Sequence, residues 1–146
     1  MGAKPTQARK TSSSVPKRIL IVDDLPQMRK LIRAYLEEER EFSVCGEAID
    51  GLDAIDKAQN LKPDLIILDA SMPRLNGIEA APKLKKLLPE TRIILFTFHE
   101  NMMLGFDAGQ IGVDAVVRKD RGLFPLMESV KQLVQRRQLS IESDPK

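Results

Sequence analysis

The 146-residue sequence predicts an α/β domain, a five-stranded parallel sheet with helices on both faces. Three observations predict it. Five short stretches, RILIV, FSVCG, LIIL, RIILF and DAVV, are apolar or β-branched on both parities, as strands covered on both faces are. Helical stretches lie between them, and this strict alternation argues for parallel strands joined by right-handed crossovers. The length suits one domain with its own core and leaves no room for a second.

The first strand, 18–22, opens the domain. Met28, Leu31, Ile32, Tyr35 and Leu36 then recur at the i, i+3, i+4, i+7, i+8 spacing of a one-sided helix, with Pro26 suited to its first turn. After the second strand, 42–46, GLDAIDKAQNL reads as helix two. The third strand, 65–68, runs into Asp69, and Asn76-Gly77 signals the turn that starts helix three, GIEAAPKLKKLL. Pro82 removes a backbone donor inside that helix and predicts a kink or an irregular turn. After the fourth strand, 92–96, NMMLGFDAGQI at 101–111 is a weaker fourth helix, since Gly105 and Gly109 each cost about 1 kcal/mol relative to alanine. The fifth strand, 114–117, precedes a helix with Leu126, Val130, Leu133 and Val134 on one stripe. The expected organisation is a disordered basic tail at 1–17, the domain at 18–137, and a tail or truncated linker at 138–146.

Apolar residues at 42% and charged residues at 30% fit a folded chain and exclude bulk disorder. No apolar run reaches the ~18 residues of a membrane span, and no signal peptide opens the chain, so a cytoplasmic protein without a membrane partner is expected. The one cysteine, Cys45, lies in an apolar strand and reads as a packed thiol suited to a reducing compartment. The net charge of +2 hides an asymmetry. Lys4, Arg9, Lys10, Lys17 and Arg18 face no acid within residues 1–18, while the rest holds 18 basic against 21 acidic side chains. Such a tail is usually solvated disorder, the alternative being weak adhesion to nucleic acid or an anionic surface.

Open parallel sheets bind ligands outside the carboxyl ends of their strands, where strand order reverses. Those ends carry Asp23 and Asp24, Asp69, Thr97, and Arg118-Lys119. In the flavodoxin-like order 2-1-3-4-5, the first and third strands are neighbours and the three carboxylates converge. Converging carboxylates raise one another's pKa unless a cation intervenes. Mg²⁺, with its preference for oxygen ligands, and Lys119 as a point charge are what such a pocket lacks. Asp69 would then stay ionised as a nucleophile toward a phosphoryl group, with Thr97 donating a hydroxyl to a phosphate oxygen. Taken alone, each residue has a plainer reading: Asp23-Asp24 as a helix N-cap, Thr97 as a strand end.

Together, ILIVDD, LDASMPRLNG, LFT and VRKD resemble a response-regulator receiver domain of two-component signalling, the match covering about residues 17–135. The resemblance implies that Asp69 is the phosphoacceptor, that Asp24, Asp69 and the Ser71 carbonyl bind Mg²⁺ directly, and that Asp23 acts through a metal-bound water. Thr97 and Lys119 would hold the phosphoryl oxygens. It further implies a histidine kinase or phosphotransfer protein as donor, and a downstream protein or a missing effector domain as recipient. Receivers often dimerise when phosphorylated. The chain would be a signalling protein rather than an enzyme, catalysing only its own phosphotransfer and dephosphorylation.

The sequence departs from the family at Val116, where receivers carry a switch aromatic that a valine cannot imitate. The output is therefore expected on the face of the 101–111 segment, the fifth strand and the last helix. Phe98 is bulkier than the family's usual residue and His99 falls where receivers influence the attacking water, so both are candidates to tune phosphoryl lifetime, the alternative for His99 being a solvated loop residue. A haloacid-dehalogenase phosphatase would need an acid where Ser71 stands, and a nucleotide site would need a glycine-rich loop in place of DDLPQM. The remaining alternative is a receiver-like interaction module that is not phosphorylated. No DNA-reading helix follows the domain, so direct sequence-specific nucleic-acid binding by this chain is not expected.

Overall fold

The structure, a computed structural model, describes residues 15–98 and 107–143. Its strands are β1 (Lys17–Val22), β2 (Phe42–Ala48), β3 (Leu65–Asp69), β4 (Arg92–Thr97) and β5 (Ala115–Arg118). Its helices are α1 (Pro26–Glu37), α2 (Gly51–Leu61), α3 (Gly77–Leu87) and α4 (Phe124–Ser143), with a 3₁₀ turn at Lys119–Arg121. All strand pairings are parallel, as the strand texture predicts, and the order is the expected flavodoxin-like β2-β1-β3-β4-β5.

Alternate residues of each central strand feed two separate cores, because successive side chains point to opposite faces. On one face Leu20, Ile66, Leu68, Ile93 and Leu95 meet Ala54 and Ala58 of α2 and Ala81 and Leu84 of α3. On the other, Ile19, Ile21, Ile67, Ile94 and Phe96 meet Ile32 and Leu36 of α1 and Leu126 and Val130 of α4. Burial of each large aliphatic side chain contributes roughly 1.5–3 kcal/mol. Every residue of β3 is buried, which fixes the central strand and whatever its last residue carries. Cys45 packs against the first core, and burial pushes its thiol pKa up, which agrees with a packed, unreactive group. In the β1–β2 pairing the register slips there, Ile19 facing Val44 and Leu20 facing Gly46.

Pro82 sits inside α3 without ending it. The weak fourth helix is not formed at its described end: residues 108–112 are turns, in which Gln110 N–H donates to the Asp107 carbonyl at 3.0 Å and Gly112 adopts φ +89°. That left-handed backbone favours glycine and stops helix propagation. Residues 101–106, with Met102, Met103 and Phe106, lie outside the described residues, as do the first 14 residues of the expected basic tail. No described helix is long and apolar enough to cross a membrane.

Candidate functional site

At one edge of the sheet β3 and β4 end in Asp69 and Thr97, Asp23 directly follows β1, and β5 passes directly into Lys119. All four side chains are buried, while neighbouring Asp24 is half-buried. Polar groups are taken out of water here because the apolar strands behind them are packed on both faces. Asp69 lies beyond Leu68 in a strand whose neighbours are β1 and β4, so its backbone is held from both sides.

The cluster is closely knit. Oxygens of Asp23, Asp24 and Asp69 lie within 4.8 Å of one another. Lys119 Nζ donates to Asp23 Oδ2 at 2.7 Å and stands 3.4 Å from Asp69 Oδ1. Asp23 Oδ1 accepts the Leu25 N–H at 2.9 Å, and Asp69 Oδ1 accepts the Ser71 N–H at 3.3 Å. Burial pushes the Asp69 carboxyl pKa up to about 6; Asp23 adds to the rise, while Lys119 and the Ser71 N–H oppose it. Asp69 is therefore mostly ionised at pH 7. Three carboxylates face one ammonium, an excess of negative charge that a divalent cation would offset. The donor set is all oxygen, which suits a hard ion such as Mg²⁺ rather than a thiophilic metal. The N-cap alternative does not hold: α1 has Leu25 at its N-cap with no side-chain cap, and Pro26 occupies the first turn.

Lys119 also lies over two rings, with Nζ 5.7 Å from the Phe96 centroid and 5.5 Å from that of Phe98. Cation–π attraction of this kind is strongest where water is excluded, and Phe96 is fully buried whereas Phe98 is 51% exposed. Val116, paired in register with Leu95 on the edge strand, is partly exposed. His99 lies outside the described residues.

Supporting residues escape sequence reasoning because they reach the site from other elements. Arg29 of α1 donates from Nη1 to the Asp23 carbonyl at 2.8 Å and from Nε to Glu47 at 2.9 Å. Arg33 binds the other Glu47 oxygen at 2.7 Å. Burial alone would raise Glu47, but the two guanidinium hydrogen bonds outweigh it and hold the carboxyl below its ordinary range. Their only sequence signal is two arginines four apart on a helix otherwise read for its apolar stripe. Asn76 caps α3, its Oδ1 accepting the Glu79 N–H at 2.8 Å while Glu79 Oε1 accepts the Asn76 N–H at 3.1 Å. This is the helix start that Asn76-Gly77 signals.

Residues 19–131 match the family model described as the response regulator receiver domain. Response regulator protein VraR of Staphylococcus saprophyticus is 34% identical over 118 residues, 81% of this chain and 56% of that protein. The chain thus spans about half the length of the curated relatives it matches. Among solved structures, response regulator TrrA of Thermotoga maritima in complex with Mg(2+)-BeF is 34% identical, with a TM-score of 0.72 over 80% of this chain and 98% of that one. The response regulator domain of Thermotoga maritima CheB is 32% identical, with a TM-score of 0.69 over 90% of this chain and all of that one.

Proposed function

Because the chain belongs to the response regulator receiver family of two-component systems, we propose that it takes a phosphoryl group from a histidine kinase or phosphotransfer protein onto Asp69, with Mg²⁺ bound beside it. The observation that carries this reading is Asp69 itself: a buried carboxylate at the end of the central strand, clustered with two more acids and in reach of Lys119. In the transfer, an Asp69 oxygen forms the new P–O bond as the donor's P–N bond breaks, and the electron pair of that bond stays on the histidine nitrogen. Asp69 must be ionised to attack, and a carboxyl pKa of about 6 leaves it so at neutral pH.

Asp24, Asp69 and the Ser71 carbonyl would hold the ion directly. Asp23, whose oxygens accept from the Leu25 N–H and from Lys119, would act through a metal-bound water, as the receiver resemblance implies. When bound, Mg²⁺ supplies positive charge that offsets the carboxylates and the incoming phosphoryl oxygens. Lys119 and Thr97 then hold those oxygens, each from the end of its own strand. Lacking an aromatic at Val116, the chain would signal through the face of residues 101–111, β5 and α4 to a downstream protein or effector domain, or by pairing with a second copy.

The reading is tested by intact mass after incubation with acetyl phosphate. A single phosphoryl gain that needs Mg²⁺ and disappears in Asp69→Asn is expected. The Phe98 ring over Lys119 favours one other reading, a shielded site. If only Phe98→Ala gains the group, Phe98 is the shield; if neither protein does, the chain is an interaction module that is not phosphorylated.

A further inference from the structure

We infer that Arg74 is a positioning residue: its ion pair with Asp50 fixes the loop between β3 and α3 in the shape that presents Ser71, so that Mg²⁺ affinity depends on a side chain remote from the ion. The inference rests on the reading of Asp24, Asp69 and Ser71 as the metal's ligands.

Arg74 adopts φ +69°, in the left-handed region that disfavours a residue with a Cβ. A glycine would sit there without strain. What the arginine adds is its guanidinium, whose Nε donates to Asp50 Oδ2 at 2.7 Å and whose Nη2 reaches the same oxygen. Asp50 is only 2% exposed, and its other oxygen caps α2 by accepting the Asp53 N–H at 2.8 Å. The acceptor is thus rigid, built into the start of a helix. One residue on, Gly51 N–H donates to the Leu75 carbonyl at 2.9 Å, so the loop is fastened to α2 by one backbone bond and one ion pair.

At its base the loop is closed by Gly77 N–H on the Ala70 carbonyl at 2.9 Å, and Ser71 N–H ties it to Asp69 itself. Between those anchors, Arg74 and Leu75 are where it grips α2. Releasing Arg74 leaves a buried carboxylate without its cation and a strained residue without its compensation, and the segment carrying Ser71 can then relax. Groups that orient metal ligands from outside the coordination shell commonly change affinity by about 10- to 100-fold.

Calorimetric titration of Mg²⁺ into wild type, Arg74→Gly, Arg74→Lys and Asp50→Asn tests this. Arg74→Gly removes the guanidinium while relieving the strain, and Asp50→Asn keeps the capping oxygen but loses the charge. Binding about tenfold weaker is expected in both, with partial recovery in Arg74→Lys and faster hydrogen exchange at the Gly51 amide without metal. If Arg74→Gly fails to fold, Asp50→Asn and Arg74→Lys carry the comparison. A lower melting midpoint with wild-type Mg²⁺ affinity means a purely structural pair and overturns the inference. Wild type that binds no Mg²⁺ overturns the functional reading, and this inference with it.

Discussion

Folding drives Asp69 into surroundings that resist its charge, and that cost is measurable. The carboxyl holds its proton to about pH 6 in the folded chain against an ordinary 3.8. The native state therefore binds more protons than the unfolded one between those values, and stability falls as pH rises through that window, the loss being complete above it. Asp69→Asn removes the penalty. Without metal it should be more stable than wild type at pH 7 by on the order of 2 kcal/mol and nearly equal near pH 4, as read from urea midpoints. Lys119 has the opposite role, since it is the cation that Asp23 and Asp69 share. Lys119→Met should cost roughly 3–5 kcal/mol in metal-free protein, with part of the loss restored by Mg²⁺ in a thermal melt. Both residues are legible in the sequence as strand-end charges. The distances of the Lys119 ammonium from Asp23, 2.7 Å, and from Asp69, 3.4 Å, are not, because Asp23 and Lys119 stand 96 positions apart in the chain.

The start of α3 shows how an element places a site. A Cβ built on Gly77 would lie 2.1 Å from the Asp69 carbonyl, a backbone atom that cannot step aside. Gly77→Ala must push helix and strand end apart, and we expect a loss of about 1–3 kcal/mol together with weaker Mg²⁺ binding, measured by denaturation and calorimetry. Asn76→Ala removes the capping box alone and should cost about 1 kcal/mol in a melt, leaving Mg²⁺ affinity near wild type. The contrast separates helix stability from site geometry. Asn-Gly marks this turn in the sequence, but nothing there says that the glycine touches the peptide of Asp69. The 101–111 stretch teaches the converse: its pattern suggests a helix, while its described end, with residues 108–112, is a run of turns closed by the left-handed Gly112.

In the whole molecule, two cores clamp one sheet, and the carboxylates at its edge repel one another against that rigid backing. A ligand bound only by the native state raises the melting midpoint by mass action. Mg²⁺ should accordingly raise the midpoint of wild type in a concentration-dependent manner, and the rise should shrink sharply in Asp24→Ala, whose half-buried position makes it the mildest of the three to replace. Equal rises in the two proteins would remove Asp24 from the metal site. The sequence by itself determined the strand and helix alternation, the sheet's burial on both faces and the chemistry at each strand end, because these follow from local periodicity and residue type. Only the tertiary structure decided that Phe96 and Phe98 both approach Lys119, that Arg29 grips the Asp23 carbonyl, and that Arg74 reaches Asp50. Those contacts join residues from separate elements, and their distances are set by packing and register rather than by any pattern along the chain.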